Sequence, residues 1–124
     1  AALPMYDFTG VIGISGARPG CVYFTAHRDL LRELLLHVGE STLSDENLSD
    51  LVGEVANTIS GNARRVFGPE FMISVPVVVA IATSGKAAAR TATGRTAFAA
   101  FSILALLKRR VRREGLTPLL ISAL

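Results

Sequence analysis

The chain has 124 residues and a formal net charge of +3. This length is sufficient for one domain, over residues 1–124, that folds without disulfides. Its single cysteine, Cys21, cannot form an internal disulfide, and no secretory hydrophobic segment opens the sequence. Both features favour a cytoplasmic location. His27 and His37 do not stand at a metal-ligand spacing with Cys21, so we expect no metal site and no cofactor of the chain's own.

The first predicted elements are a β-hairpin and a helix. Residues 6–26 are rich in β-branched and aromatic side chains, and the Pro-Gly turn at 17–20 divides them into two strands. The next segment, 27–38, repeats leucines at helical spacing and stops at Gly39. We therefore expect an antiparallel hairpin followed by a helix that packs on the sheet.

A longer helix is predicted to follow, beginning after Ser44 and ending near Phe67. Ser44 has the side chain of an N-cap, and Gly68 and Pro69 form a stop signal. One side of this helix is apolar and is predicted to face the sheet. The residues of this apolar stripe are Leu48, Leu51, Val52, Val55, Ile59, Ala63 and Val66.

The C-terminal half contains further strand signals. Residues 71–82 form a nearly continuous apolar run that predicts a strand either buried on both faces or placed beside the centre of the sheet, with Pro76 at an edge or a bulge. Residues 83–96 are low in complexity and predict a loop, 97–107 fit either a buried strand or the apolar start of a helix, and 116–124 predict a final strand. This order of elements predicts an α/β (α+β) fold, a two-layer sandwich with an antiparallel sheet packed against two or three helices.

The polar side of the long helix carries an acid and an amide. Glu54 and Asn57 lie three residues apart and are surface neighbours, with Asp50 one turn before them and Gly61 one turn after. Gly53 and Gly61 each weaken a helix by about 1 kcal/mol relative to alanine, which suggests that another backbone approaches closely. Ordinary solvated polar surface with tolerated glycines also explains this pattern.

The C-terminal third is basic. Residues 80–113 carry only positive charges, and the run at 108–113 would attract phosphates of nucleic acid or of an anionic membrane surface. No aromatic residues are interleaved with this run, and no recognised nucleic-acid motif surrounds it. A solvated turn or helix end explains it better, so we expect no nucleic-acid partner and no membrane insertion.

Four blocks of the sequence resemble the CheX branch of the CheC/CheX/FliY family in order and spacing. The blocks are GVIGISG at 10–16, GCVYFTA at 20–26, DLVGEVANTISGNAR at 50–64 and FMISVPVVV at 71–79. The similarity covers about residues 5–79. Its most specific element is Glu54-x-x-Asn57 together with the run at 60–62, which resembles the active-site helix of the family.

The resemblance implies a chemotaxis phosphatase that hydrolyses the aspartyl phosphate of a CheY-type response regulator. The partner would supply the phosphorylated aspartate and Mg²⁺, Asn57 would orient the attacking water, and Glu54 would pair with a lysine beside the phosphorylation site. A non-catalytic module of the same fold that binds or scaffolds response regulators is the alternative. The residues expected to contact the partner are Asp50, Gly53, Gly61 and Arg64.

The sequence departs from the family pattern at both ends. Family members normally begin with a helix before the first strand, and this helix is expected to be absent here. The C-terminal part, around residues 97–107, matches the family's strand pair poorly. The resemblance also implies a homodimer built through the sheets, with the helix that carries Asn57 left exposed.

Overall fold

The computed structural model describes residues 5–16, 19–82 and 84–91, together with residues 105, 106 and 109. The predicted strand at 116–124 lies outside the described residues, as does the basic run at 108–113 apart from residue 109. Within 97–107, only residues 105 and 106 are described. Both are helical, and Leu106 packs against the core, which favours the helical alternative for these two positions.

The described chain forms five strands and two helices. The sheet is antiparallel, with strand order β2-β1-β4-β5, and β3 pairs with β1 beside β4. This arrangement confirms the predicted hairpin and the predicted α+β fold class. The elements are β1 Phe8–Gly16, β2 Gly20–Ala26, α1 Arg28–His37, α2 Asp45–Phe67, β3 Phe71–Ile73, β4 Val77–Ile81 and β5 Ala87–Thr91.

The first turn of α1 is held by contacts with other elements. The N-cap residue, His27, makes no side-chain cap, and the backbone N–H of Arg28 donates instead to the carboxylate of Asp7 at 2.9 Å. The guanidinium of Arg28 lies 4.9 Å from the ring centroid of Phe8 and pairs with the carboxylate of Asp45. Since Asp45 is the first residue of α2, these contacts fix the starts of both helices to each other and to β1.

Both ends of α2 are as predicted. The hydroxyl of Ser44 accepts a hydrogen bond from the backbone N–H of Asn47 at 3.2 Å, which confirms the N-cap. Gly68 has φ +91°, a conformation that favours glycine, and its N–H donates to the carbonyl of Arg64 at 2.8 Å. The 23 residues between these caps form one continuous helix.

The close contact between α2 and β1 depends on a glycine. A Cβ added at Gly10 would lie 2.9 Å from Cγ1 of Val52 and 3.3 Å from both the Val52 carbonyl oxygen and the Cβ of Ala56. A larger residue at position 10 would therefore push the helix away from the sheet. The central residues of the predicted apolar stripe are buried in this layer, as expected: Leu48, Leu51, Val52, Val55 and Ile59.

The prediction that Val66 also faces the sheet is wrong. Val66 is 81% exposed, although it follows the same helical periodicity as the buried residues. In this last turn it is Phe67 that contacts the sheet, because its ring stacks on that of Phe71 in β3 with centroids 5.3 Å apart. Periodicity gives the direction of a side chain, but it does not show whether other residues lie beneath it.

The predicted single strand at 71–82 is divided by a bulge. Residues 12–13 of β1 lie opposite three residues, 74–76, of the segment that connects β3 to β4. The backbone N–H of Gly13 donates to the hydroxyl of Ser74 at 2.9 Å, and the N–H of Ser74 donates to the Gly13 carbonyl at 3.0 Å. These bonds support the extra residue, so the predicted bulge at Pro76 is confirmed.

The two helices cover one face of the sheet. The side chains of Phe8 and Val78 on that face share a core with the leucines of α1. The opposite face is more open, since Met72 is 52% exposed and Val77 is 42% exposed. Of the two alternatives for residues 71–82, the place beside the centre of the sheet is confirmed for β4, which lies between β1 and β5. Burial on both faces is not, because Met72 and Val77 are exposed.

Residues 87–91 form strand β5, so the predicted loop over 83–96 is wrong for these five positions. The chain turns back after β4 through Gly85, which has φ +84°, and the N–H of Ala82 donates to the carbonyl of Lys86 at 2.9 Å. The unpaired edge of β4 supplies hydrogen-bond partners to a segment of low β-propensity. The amino-acid composition of the segment does not indicate this pairing. Residues 92–96 of the predicted loop lie outside the described residues.

Candidate functional site

Five of the predicted site residues lie along one side of α2 and are at least partly exposed. They follow each other at spacings of three or four residues, which places them on one side of a helix. Asn57 and Arg64 are exposed, and the other three are half-buried. We refer to these residues as the polar stripe: Asp50, Glu54, Asn57, Gly61 and Arg64.

Asn57 presents its carboxamide to solvent near the middle of the stripe. Its side chain makes no hydrogen bond to any residue that the structure describes. The nearby hydroxyls bond to the helix backbone instead, with Thr58 donating to the carbonyl of Glu54 and Ser60 donating to the carbonyl of Ala56, both at 2.8 Å. The amide of Asn57 therefore has a donor and an acceptor available for a ligand.

Glu54 lies one turn before Asn57, and the two positions are separated by about 4.5 Å along the helix axis. Its side chain is half-buried, and its carboxylate forms no ion pair within the described ranges. A negative charge and a neutral amide are thus presented to the same space. The sequence interpretation did not include Thr58, whose hydrogen bond to the Glu54 carbonyl is signalled only by their spacing of four residues.

Gly61 is the open position of the stripe. A Cβ added there would meet no described atom within 4 Å, whereas a Cβ at Gly10 would meet the opposing helix. Packing against the described residues therefore gives no reason for glycine at position 61. A glycine in a helix interior costs about 1 kcal/mol relative to alanine, and contacts with the described residues do not offset this cost at position 61.

Gly53, which the resemblance assigns to the partner contact, does not lie on the exposed surface beside Glu54. It is buried, on the side of α2 that carries Ala56 and Ser60, both of which have no exposed surface. Adjacent helical residues differ in direction by about 100°, so Gly53 points away from Glu54 although it precedes it directly. We therefore assign Gly53 to the covered side of the helix.

The described residues supply neither a metal-binding cluster nor a membrane-spanning helix. No three or more of their histidine, cysteine and acidic side chains lie close enough together to hold a metal ion. None of their helices combines the length and the apolar composition that crossing a bilayer would require. The chemical groups that remain at the stripe are the carboxylates of Asp50 and Glu54, the amide of Asn57 and the guanidinium of Arg64.

Comparison with known proteins identifies the family. Residues 8–99 match the family model described as chemotaxis phosphatase CheX. This range includes all seven described elements and the whole polar stripe, and it exceeds half of the chain. The chain therefore belongs to the CheX family, as the sequence resemblance implied. No curated protein and no solved structure matches the chain.

Proposed function

We propose that this protein is a phosphatase that hydrolyses the aspartyl phosphate of a CheY-type response regulator. The observation that carries the proposal is the solvent-exposed amide of Asn57 with the carboxylate of Glu54 one turn away, on the central helix of a chain of the CheX family. A non-catalytic module that only binds the regulator is the competing possibility, and a measurement of phosphate release separates the two.

The proposed reaction requires little covalent chemistry from this chain. The regulator provides the phosphorylated aspartate and Mg²⁺, and the phosphatase places a water molecule in line with the bond that breaks. Asn57 is suited to this task because its amide can accept one hydrogen bond from the water and donate another to the phosphoryl group. The mechanism needs no cofactor held by the phosphatase itself.

Glu54 has a different task in the proposed complex. Its carboxylate pairs with a lysine beside the phosphorylation site of the regulator and so fixes the position of α2 along that site. Asp50, Gly61 and Arg64 form the surrounding contact surface. Gly53 has no direct contact in this proposal, because it is buried. A cytoplasmic location, expected from the lone Cys21, is part of the proposal.

The test is to replace Asn57 by alanine and to measure phosphate release from a purified, phosphorylated regulator in the presence of Mg²⁺. We expect kcat to fall by about a hundredfold, which is typical for the loss of one positioned polar group in an active site. Binding of the regulator should persist. The free energy of unfolding should change by less than about 0.5 kcal/mol, since the side chain is exposed.

Asn62→Ala is the matched control. It removes the same functional group from the same helix, but Asn62 already accepts a hydrogen bond from Arg65 and lies outside the polar stripe. Its kcat should stay close to that of the unmodified protein. If the unmodified protein binds phosphorylated regulators without accelerating phosphate release, the binding module is the correct function. If only Asn57→Ala unfolds the protein, Asn57 is structural.

A further inference from the structure

The charged residues of α2 are separated along its length. All four acidic residues of the helix lie in its N-terminal half, and its two arginines, Arg64 and Arg65, lie in the last turn. On the stripe itself the order is acid at Asp50 and Glu54, then Asn57, then Arg64. The exposed surface around Asn57 is therefore negative toward the start of the helix and positive toward its end.

The helix dipole explains only part of this order. The dipole favours acids within the first turn and cations within the last turn. Asp50 and Glu54 lie beyond the first turn of a helix that begins at Asp45, so they gain little from it. Arg64 is exposed and forms no ion pair with another described residue. Glu54 likewise forms no ion pair with a described residue, so recognition of a charged partner explains the positions of Glu54 and Arg64 on the stripe.

The spacing of the charges fits one interface. Glu54 and Arg64 are about 15 Å apart along the axis, and Asn57 lies between them, about 10 Å before Arg64. A partner that covers Asn57 with a typical patch of about 800 Å² would reach both charges. The open surface at Gly61, between Asn57 and Arg64, allows close contact across this distance.

We propose that Arg64 fixes the orientation of the bound response regulator by receiving an acidic surface of that protein. This inference rests on the proposed function. With Glu54 beside a lysine of the regulator and Arg64 beside an acidic patch, the regulator can lie along α2 in one direction only. The reverse direction would place like charges together at both positions, which disfavours it. The partner surface that fits has a cation and an acidic patch on opposite sides of the phosphorylation site.

The first experiment measures KM and kcat for dephosphorylation with Arg64→Gln and Arg64→Glu. We expect KM to rise roughly threefold for the glutamine and roughly tenfold for the glutamate, as for the loss and the reversal of one rim charge. The kcat value should stay within about twofold, since Arg64 is remote from Asn57, and added salt should reduce the difference in KM. Thermal unfolding confirms that both variants are folded.

Arg32→Glu is the control, because it makes the same charge reversal at an exposed position of α1, outside the polar stripe. It should leave KM nearly unchanged. Equal effects of Arg32→Glu and Arg64→Glu would overturn the inference while the proposed function stands. Absence of phosphatase activity in the unmodified protein would overturn both.

The second experiment tests the orientation directly. Acidic residues around the phosphorylation site of the regulator are changed one at a time to lysine, and each variant is assayed with the Arg64→Glu protein. We expect one of them to restore KM to near its original value, because the pair of charges is then exchanged. If KM rises in Arg64→Glu and no reversal on the regulator restores it, Arg64 does not set the orientation.

Discussion

At the scale of single residues, the proposed reaction gives Glu54 and Asn57 chemically separate tasks although they are one turn apart. An amide carries no charge and holds both a donor and an acceptor, so Asn57 can orient water without gaining or losing a proton. A carboxylate at the same position would place a second negative charge beside the phosphoryl group. Glu54 is instead suited to an electrostatic contact with a cation on the partner. The two residues should therefore affect different kinetic constants.

Glu54→Gln should raise KM by roughly tenfold, equivalent to about 1.4 kcal/mol of binding free energy, with a smaller change in kcat. Glutamine keeps the shape of the side chain and removes its charge. Titration with salt in the unmodified protein should reproduce part of this increase, because ions screen the same contact. Steady-state phosphate release over a range of ionic strength checks both statements.

Glu70→Gln is the control for Glu54→Gln, since it also removes one negative charge, from an exposed position outside α2. It should have little effect on KM. Glu54 would have no part in the mechanism if Glu54→Gln kept the original KM and kcat.

The exposed positions of the site could be predicted from the sequence, whereas the covered ones could not. Helical periodicity places Asn57 on the side of α2 away from Leu51 and Val55, and the structure agrees, since Asn57 is exposed, Leu51 and Val55 are buried, and Glu54 at the border of the apolar side is half-buried. The burial of Gly53 depends on which neighbouring elements overlie its side of the helix. The sequence of α2 contains no information about those neighbours.

At the scale of elements, glycines lie on both sides of α2, one at its contact with the sheet and one on its outer side. Gly10 of β1 lets the helix approach the sheet closely, because any Cβ there would meet Val52. Gly61 of α2 has no such internal contact and leaves the outer side of the helix open. One glycine thus supports packing within the chain, and the other is available to a partner. The two positions should respond in opposite directions to the same substitution.

Gly10→Ala should destabilise the protein by about 1–3 kcal/mol, the usual range for an added group in a packed core. The Val52 contact at 2.9 Å and the Val52 carbonyl at 3.3 Å leave no room for the methyl group without movement of α2. Urea unfolding measures the difference. Gly20→Ala is the control, since a Cβ at Gly20 would meet no described atom within 4 Å. Equal stability of the two variants would contradict the packing argument.

Gly61→Ala should raise the free energy of unfolding by up to about 1 kcal/mol, because alanine favours the helix and has space at this position. If Gly61 contacts the regulator, the added methyl group should at the same time raise KM for dephosphorylation. Denaturant unfolding and phosphate release, measured on the same preparation, test the two effects. A more stable protein with an unchanged KM would show that Gly61 is not at the interface.

Most of the fold could be predicted from local signals. The structure differs from the prediction where contacts with a neighbouring element determine the conformation. Ser44 and Gly68 mark the ends of α2 because caps act within a few residues. Strand β5 has no such signal, since its alanines have low β-propensity and, among the described residues, pair with the edge of β4. The division of residues 71–82 was partly visible, because Pro76 predicts a bulge but does not give the length of the strands on either side.

At the scale of the whole molecule, the two layers present different surfaces. The helical layer exposes the polar stripe, with its charges and the amide of Asn57. The far face of the sheet exposes apolar side chains, including Met72 and Val77. Val77 alternates with the fully buried Val78 along β4, so it points away from the helices. A partner on the sheet face and a partner on the stripe would therefore occupy opposite sides of the molecule.

The homodimer expected from the family resemblance should form through the sheet and leave the polar stripe accessible. Sedimentation or light scattering at micromolar concentration should give the mass of two chains. Val77→Lys should shift the protein toward the monomer, because it places a charge on the exposed apolar face of the sheet. Leu36→Lys is the matched control, since Leu36 is 58% exposed on α1 in the helical layer. This variant should leave the mass unchanged.

Because Asn57 lies in the opposite layer, phosphatase activity per chain should be similar for the monomer and the dimer. A monomeric unmodified protein, or a dimer interface that covers Asn57, would contradict this assembly.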